Sequence, residues 1–594
     1  MSIRLSKEKI CSFVGDVLPV SLVGEGIDRY TEVKWSVTGD AALIRTFERD
    51  GRHTERCGAL VTLVREGSAT VCAEYQGKKY TLEATARARK SFDGSKEINY
   101  YIGDMHHHTS MDHNPDSFAE HKKDLIEDYT AAVFADRDLD FGVISDHAGV
   151  TNDHDFFRGF ELADEGAGTV LFAGAESEVT YTEVDRLGVL HRLSGEIVTI
   201  NSAGYSDSRS FSEFERDMAP SPRAIGIFAH PHVVGFSTNG IWNFNFMRNN
   251  TPRMLEIMRG MEMGNGADRK ENLLHEYAYS QALDAGFRLS TTCGSDSHGS
   301  NWGIDLMPGK TVIMANEPTR EAFVDALVNN RFYATESGNI KLKYTVNGML
   351  APCDLSDADT YTFKVDIDYF TECESTRPIL VEVIFDYGKP VCIENINSDS
   401  FVLTVRSDSA RYFYLRLIDS EGRKTWSPPV FTSRAYDKYA ERKLDEIDLS
   451  RAVCYADGKE APALIDRNPM ESWYGEAPEA RIVIDLGEKR SVSALGYYPH
   501  IILRGKDKGP DWTTSMESAG LVSEYKILVS ACGEEYTEVR SGRIQALGSE
   551  SILDFKRVEA RYVCFEVLST VGKSSHLEKY KDSAVRIANL SLFS

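Results

Sequence analysis

The chain has 594 residues, of which 42% are hydrophobic and 27% charged, and its formal net charge is -24 at pH 7. This composition is typical of globular proteins, and the length predicts about four domains of roughly 150 residues each. A strongly acidic surface repels nucleic acid and anionic lipid, so we expect neither as a partner. No apolar run approaches the ~20 residues of a membrane span.

The N-terminus and the cysteines bear on the compartment. MSIRLSKEKI contains no apolar stretch of the kind found in a signal peptide. None of the ten cysteines forms a C-x-x-C pair, which favours buried free thiols in a reducing environment. We therefore expect a cytoplasmic protein, or an extracytoplasmic one if a leader has been removed.

Residues 1–93 consist of short runs that alternate apolar and polar positions, which predicts β-strands separated by turns. The runs are EVKWSVTG, SATVCAEYQG and KKYTLEATARA. Their order, W-S-V, then G-S-A-T-V, then A-x-Y-x-G-K-x-Y, resembles bacterial Ig-like domains. The resemblance implies a β-sandwich.

Residues 94–338 change character, because β-type runs now alternate with helical ones. The predicted strands are INYYIG, DFGVIS, TVLFAGA, EIVTIN, AIGIFA, LEIMRGM, FRLSTTC and KTVIMA. The predicted helices are SFAEHKKDLIEDYTAAVFAD, DFFRGFELADEG, NLLHEYAYSQALDAGF and TREAFVDALVNN. This alternation predicts a (β/α) barrel or a related parallel sheet, in which the chemistry lies at the carboxyl ends of the strands.

Five of these predicted strands end in metal-ligand residue types. His106 and His108 lie two apart on an extended backbone, so both side chains point the same way. The other strand ends supply Asp146 with His147, Glu176, His230, and Asp296 with His298. Imidazole and carboxylate ligands without thiolate suit Zn, Mn or Fe, and seven of them, even without Asp146, exceed one tetrahedral site. We therefore predict two or three divalent metal ions.

The motifs D-M-H-H-H-T, S-D-H, G-A-E, A-H-P and S-D-S-H occur in an order that resembles the PHP family (polymerase and histidinol phosphatase). The resemblance implies a distorted (β/α)7 barrel with a bi- or trinuclear metal centre, and usually phosphoester hydrolysis. The implied metal ligands are His106, His108, His147, Glu176, His230, Asp296 and His298, with His191 as a further candidate. His106, His108, His230 and Asp296 are also the residues to which we assign catalysis.

Two positions depart from the PHP pattern. The family has S-D-G soon after its His-Thr pair, whereas this chain has SMDHN, so Asp112 and His113 compete for that role. The family often supplies a His between its Glu and His-Pro motifs, and the candidates here are His191 and Glu196.

The predicted reaction follows from the ligands. A water shared by two cations has a pKa of about 7, so hydroxide is available to attack phosphorus or a carbonyl carbon. Unliganded His232 or His191 are candidates for the general acid. The favoured function is thus a metal-dependent phosphoesterase. Its substrate is either a carbohydrate-linked molecule or another small molecule. The alternatives are a carboxylic ester or amide hydrolase with the same centre, and a non-catalytic glycan-binding protein.

The remainder of the chain is again β-patterned. Residues 339–438 predict a second β-sandwich. Residues 447–594 contain ALIDRNPMESWYG, IDLG and ARYV in an order that resembles the discoidin family, which implies a C-terminal jelly roll and a glycan ligand. The candidates for a sugar platform are Trp473, Tyr498, His500, Arg504, Trp512 and His576, although Trp473 is better suited to the core. The sequence therefore predicts a multidomain chain in which two sandwiches and a jelly roll flank the barrel.

Overall fold

A computed structural model describes most of the chain. It describes residues 2–47, 55–89, 91–109, 139–149, 151–165, 170–184, 186–188, 190–205, 210–231, 242, 244, 252–266, 275–297, 309–407, 409–434, 444–500, 520–544, 550–570 and 584–594, without the side chains of 181–183, 190–194 and 252. Within these ranges the fold is mostly β-sheet. None of the helices there combines the length and the apolarity needed to cross a membrane.

The N-terminal strands form two four-stranded sheets, in the orders β1-β3-β6-β5 and β2-β8-β7-β4. The strands are β1 (Arg4–Leu5), β2 (Lys9–Phe13), β3 (Val17–Val23), β4 (Lys34–Thr38), β5 (Ala42–Thr46), β6 (Gly58–Leu63), β7 (Gly67–Tyr75) and β8 (Lys78–Arg87). Residues of both sheets, among them Leu22, Val61, Val71 and Leu82, share one apolar core. The predicted sandwich architecture is present, whereas the Ig-like relationship stays a prediction.

The middle of the chain forms one mixed sheet in which the strands follow each other in chain order from β9 to β15. They are β9 (Asn99–Asp104), β10 (Phe141–Ile144), β11 (Val170–Val184), β12 (Leu190–Ile200), β13 (Ile225–Phe228), β14 (Met258–Asn265) and β15 (Ser290–Gly294), with β16 (Lys310–Ala315) and β17 (Phe332–Thr335) beyond β9. The four-residue strands β10 and β13 are wholly buried, and such continuous apolar runs are typical of strands covered on both faces.

The described helices are α1 (Asp153–Glu165), α2 (Phe211–Met218), α3 (Pro252–Ile257), α4 (His275–Asp284) and α5 (Arg320–Val328). Two of them, α4 and α5, lie within predicted helices, and α1 overlaps the predicted DFFRGFELADEG but begins two residues before it. The predicted helix SFAEHKKDLIEDYTAAVFAD lies outside the described residues. The predicted strand LEIMRGM was wrong in its first three residues, because Pro252 favours the first turn of a helix that runs to Ile257. The unpredicted α2 is capped by Ser210, whose hydroxyl accepts from the Glu213 backbone N–H.

The alternation of strand and helix was also wrong at β11 and β12. These two strands form a long antiparallel hairpin, because the short 185–189 connection leaves no room for the crossover that parallel strands require. The β12–β13 pair is antiparallel too, whereas β9–β10–β11 and β13–β14–β15 are parallel. The predicted (β/α)7 barrel, even in its distorted form, is therefore not supported by the strand pairing within the described ranges.

The two ends of this sheet nevertheless meet. The Cys293 backbone N–H of β15 donates to Thr311 Oγ1 of β16 (2.9 Å), and the Ala334 N–H of β17 donates to Thr291 Oγ1 (3.0 Å). Beyond β9 and β15, the Asp296 N–H donates to the His106 carbonyl (2.9 Å). Side-chain and loop hydrogen bonds thus bring the ends of β9 and β15 together where no β-ladder joins them.

The next strands confirm the β patterning predicted after residue 339. They are β18 (Ile340–Val346), β19 (Met349–Leu350), β20 (Asp354–Leu355), β21 (Thr360–Tyr369), β22 (Pro378–Phe385), β23 (Lys389–Asn395), β24 (Ser400–Arg406), β25 (Tyr412–Asp419), β26 (Lys424–Trp426) and β27 (Val430–Thr432). One layer is β19-β18-β21-β24, and the other, through β26 and β17, continues the middle sheet.

The C-terminal strands form one eight-stranded antiparallel sheet around a separate apolar core. They are β28 (Val453–Ala456), β29 (Lys459–Glu460), β30 (Trp473–Tyr474), β31 (Ala480–Pro499), β32 (Val522–Ser530), β33 (Thr537–Arg543), β34 (Ser551–Thr570) and β35 (Arg586–Phe593). This all-antiparallel arrangement is compatible with the predicted jelly roll. All ten cysteines are free, as expected, and Cys57, Cys293, Cys454 and Cys564 are buried. The expected burial does not extend to Cys11, Cys373 and Cys532, which are exposed.

The connection of the β11–β12 hairpin reaches the C-terminal sheet. Arg186 donates from Nε to Glu550 Oε2 (2.7 Å) and from Nη2 to Glu550 Oε1 (2.6 Å), and its Nη1 donates to Glu446 (2.9 Å). Its guanidinium also lies 5.4 Å from the centre of the Phe593 ring. The Arg186 side chain is 20% exposed and that of Glu550 8%, so this is a largely buried charge pair.

We expect Arg186→Ala to weaken this junction by about 3 kcal/mol, because the substitution leaves the Glu550 carboxylate buried without its partner. Amide hydrogen exchange of the full chain should then be roughly 100-fold faster in β35 and the adjoining part of β34. The matched control is Arg490→Ala, which removes a surface pair with Glu488 and should change stability by no more than about 0.5 kcal/mol. Unchanged hydrogen exchange in Arg186→Ala would show that the contacts of Arg186 with Glu550 and Glu446 do not stabilise the C-terminal sheet.

Candidate metal centre

The end of β9 places two imidazoles side by side. His106 and His108 are fully buried, and their Nε2 atoms lie 3.0 Å apart. His107, between them, turns away and places its Nδ1 atom 3.0 Å from Ser295 Oγ. The predicted alternation along the extended backbone is therefore present, with two rings facing one point and the third packed elsewhere.

Glu176 brings the other strands to these rings. It lies in β11 next to His147, with which it forms an isolated parallel bridge. Its carboxylate oxygens lie 3.3 Å from His106 Nε2, 3.4 Å from His108 Nε2, 3.1 Å from His147 Nε2 and 3.0 Å from His230 Nε2. One carboxylate with 1% exposure thus contacts four imidazoles from three strand ends.

Asp296 closes the cluster from the end of β15. Its Oδ1 lies 3.0 Å from His108 Nε2 and 3.5 Å from His106 Nε2. Asp296 has φ +47° and His230 has φ +23°, a region that non-glycine residues seldom occupy. Backbone strain of this kind is concentrated at functional sites, where the surrounding contacts hold it in place.

Of the two candidates for the ligand between the Glu and His-Pro motifs, His191 and Glu196, the structure places Glu196 at the cluster. Its oxygens lie 3.2 Å from His230 Nε2 and 3.8 Å from His147 Nε2. In the hairpin, Glu196 pairs with Glu178 close to Glu176, whereas His191 pairs with Glu183 near the 185–189 connection. The His191 side chain lies outside the described part, so its role as a ligand stays a prediction.

The donor atoms fall into two groups that share Glu176. Within each group, one ligand atom of each residue lies within 4.8 Å of every other. The first group is His106, His108, Glu176 and Asp296, and the second is His147, Glu176 and Glu196. Nitrogen and carboxylate lone pairs that converge without a thiolate fit Zn, Mn or Fe, so the residues present fit the predicted ions.

The charges of the cluster are strongly coupled. Burial alone would lower the pKa of His106, but the carboxylates of Glu176, Glu262 and Asp296 hold that pKa well above its usual value. Burial would likewise lower the pKa of His230, but the hydrogen bond and the negative charge of Glu176 raise it to about 10. Burial and the negative charge of Glu176 raise the pKa of Glu196 to about 7. Carboxylates in excess thus draw positive charge to this point, which protons or a cation can supply.

Sequence reasoning missed Glu262, which is fully buried in the middle of β14. Its Oε1 lies 2.8 Å from His106 Nδ1, and its Oε2 accepts from the His230 backbone N–H (2.7 Å). The available signal was one carboxylate inside the apolar run MRGMEMGN. Asn265, the last residue of β14, donates from Nδ2 to Glu262 Oε2 (2.9 Å).

Several predicted residues cannot be placed. His298, Asp112, His113 and His232 lie outside the described residues, as do the platform candidates Arg504, Trp512 and His576. Among the other candidates, Tyr498 was wrong as a sugar-contacting residue, because its side chain is fully buried. Trp473 packs against the C-terminal core, and the His500 ring lies 5.5 Å from the exposed ring of Tyr474.

Comparison with known proteins gives little beyond the geometry. No protein-family model matches the chain, and no curated protein matches it. Similar solved structures include a family 32 carbohydrate-binding module of Clostridium perfringens in complex with galactose, at 18% identity and a TM-score of 0.20, covering 26% of this chain and 100% of that one. Another is a module of a family 31 glycoside hydrolase from Clostridium perfringens, at 21% identity and a TM-score of 0.20, covering 25% and 94%. TM-scores this low carry no argument about this chain.

We expect Gly294→Ala to disrupt the centre, because the added Cβ would lie 2.3 Å from His106 Cβ and 2.5 Å from Glu262 Oε1. Clashes of this kind cost on the order of 1–3 kcal/mol, and here they displace a ligand. Metal content measured on the purified full chain should fall below half of the wild-type value. Gly94→Ala is the matched control, since its Cβ would meet nothing closer than 3.9 Å. Equal metal content in both variants would show that the packing of Gly294 against His106 and Glu262 is not needed for metal binding.

Proposed function

We propose that this chain is a metal-dependent hydrolase of the PHP type, with two cations held around Glu176. The observation that carries the proposal is that Glu176 belongs to both groups of converging donors, so that two neighbouring cations would share this residue as a ligand. The motif order supports the same family, and the near closure of the sheet by side-chain hydrogen bonds supports a barrel-like shape. In this proposal, 94–338 is the catalytic unit, 1–93 and 339–438 are sandwiches, and 447–594 is the jelly roll.

The proposed chemistry divides between the ions and the chain. Two bound cations would lower the pKa of a water between them to about 7 and neutralise charge on a phosphoryl oxygen. Glu176 lies on the buried side of the cluster, whereas 34% of the His147 side chain is exposed. A substrate would therefore reach the cations from the side of His147. His106 and His108, which are fully buried, would bind a cation from the opposite, interior side. A phosphoester is the favoured substrate class, because its anionic oxygens gain more from two cations than a neutral carbonyl does.

We further propose that the C-terminal unit binds a glycan through Tyr474 and His500. The Tyr474 side chain lies on the surface with 59% exposure, and its ring and that of His500 are inclined at 60°. Ser472 Oγ hydrogen-bonds His500 Nδ1 and orients the imidazole. An aromatic face beside an oriented polar ring is suited to a sugar, whose apolar face stacks while its hydroxyls hydrogen-bond.

The hydrolase is tested by metal analysis and a panel of nitrophenyl phosphates, phosphodiesters and carboxylic esters. We expect hydrolysis of phosphoesters that is abolished by a chelator and restored by Mn or Zn. His106→Ala should lower turnover by more than the ~10–100-fold that loss of a supporting residue costs, because a ligand itself is removed. His154→Ala is the matched control, because His154 pairs with Glu55 (2.7 Å) rather than with the cluster, and it should retain wild-type turnover. Activity confined to carboxylic esters would replace the phosphoesterase, and a chain that binds no metal after metal-replete growth would favour the glycan-binding protein.

Glycan binding is tested with the full chain on a broad glycan array. Tyr474→Ala should lose at least about 1 kcal/mol of binding, roughly a fivefold loss of affinity, because the stacking face is removed. Tyr455→Ala is the matched control, since that tyrosine is also exposed at 37% but lies on β28. His106→Ala should bind as the wild type does. The absence of any glycan on the array that binds the wild-type chain would overturn this part of the proposal.

A further inference from the structure

Glu262 is a carboxylate in a place that should disfavour one. It is fully buried, and its neighbours in β14, Met261 and Met263, are apolar. Moving a carboxylate out of water is costly unless hydrogen bonds or opposite charges compensate for the lost hydration. No described Lys or Arg forms an ion pair with Glu262. Its compensation therefore comes from the metal cluster itself.

Glu262 makes three hydrogen-bond contacts, two of them with residues of that cluster and one with Asn265. Oε1 lies 2.8 Å from His106 Nδ1. Oε2 accepts from the backbone N–H of His230 (2.7 Å) and from Asn265 Nδ2 (2.9 Å). The two oxygens thus act on the candidate ligands of two different strand ends, those that follow β9 and β13.

The contact with His106 determines which ring nitrogen is available to a cation. An ionised carboxylate only accepts, so His106 must carry its proton on Nδ1 when it hydrogen-bonds Glu262. The Nε2 lone pair is then directed at the point where His108, Glu176 and Asp296 converge. The opposite tautomer would place a proton at that point and would leave two acceptors facing each other at Nδ1.

The contact with His230 acts on the backbone. His230 has φ +23°, a conformation that a non-glycine residue seldom adopts without support. The Glu262 carboxylate binds the N–H of this residue, so the strained conformation is stabilised from β14. That conformation sets the direction in which the imidazole leaves the chain towards Glu176.

We propose that Glu262 is a positioning residue that fixes the Nδ1–H tautomer of His106 and the backbone of His230 for metal binding. This inference rests on the proposed function, because it concerns the same centre. The class of ligand is a divalent cation bound through Nε2. Carboxylates that orient ligand imidazoles in this way typically raise metal affinity by ~10–100-fold.

Glu262→Gln tests the proposal without changing the shape of the side chain. A glutamine can still accept from the His230 N–H with its oxygen, but its NH₂ group then faces His106 Nδ1. Because an amide nitrogen donates, it favours the Nε2–H tautomer of His106, which opposes a metal at Nε2. We expect the affinity of the full chain for Zn and Mn to fall by ~10–100-fold, measured by competition with a chelating dye. Glu262→Asp should recover part of it, since the shorter side chain still only accepts.

A second measurement separates positioning from general destabilisation. Selective ¹⁵N labelling of histidine in the Zn-loaded chain should report a protonated Nδ1 for His106 in the wild type and a changed Nδ1 signal in Glu262→Gln. Glu336→Gln is the matched control, because Glu336 is also buried in this sheet region but accepts from the Lys424 backbone N–H (2.6 Å). Its metal affinity should equal that of the wild type.

The outcomes separate a failure of the proposed function from a failure of the positioning role of Glu262. A wild-type chain that binds neither Zn nor Mn refutes the proposed function. A wild type that binds metal and a Glu262→Gln variant that binds it equally well refutes the positioning role alone. An equal loss of affinity in Glu336→Gln would also refute it, because the effect would then follow from any buried Glu-to-Gln change in the sheet.

Discussion

The buried charge of Glu176 constrains the centre more than any other single feature. A carboxylate with 1% exposure has lost nearly all of its water, and it is stable there only with protonated or metal-bound partners around it. Four imidazoles supply those contacts, and they come from separate parts of the chain. The same charge holds the pKa of His230 high and raises that of Glu196, so each member of the cluster depends on Glu176.

The hairpin that carries Glu176 explains how this position is kept. Glu176 and Glu196 lie near one end of the paired β11–β12 region, and Arg186 lies in the connection at the other end. Side chains alternate between the two faces of a strand, so a register slip of one residue would turn both carboxylates away from the rings. The contacts of Arg186 with Glu550 and Glu446 hold the connection against the C-terminal sheet. The register of the ligands and the docking of the last unit thus depend on one element.

The sequence could predict the candidate residues at the strand ends because each of them follows an apolar run at a fixed offset. Parallel strands place their carboxyl ends at one edge, and His106, His147 and Asp296 indeed meet there. Their roles as metal ligands stay predictions. Glu262 could not be found in this way, because it lies inside a strand rather than after one, and its value depends on which ring nitrogen it faces in the folded chain. The antiparallel hairpin was not predicted, because VTYTEV and VLHRLSG are too polar to stand out as strands beside the apolar runs TVLFAGA and EIVTIN.

The most direct test of a two-cation centre is a crystal structure of the Mn- or Zn-loaded full chain, with anomalous diffraction recorded on both sides of the metal absorption edge. Our account predicts two anomalous peaks on either side of the Glu176 carboxylate. One should be coordinated by His106, His108 and Asp296 and the other by His147 and Glu196, at about 2.0–2.2 Å for Zn. An absence of anomalous signal around Glu176 in a metal-saturated crystal, or a peak bound elsewhere, would contradict it.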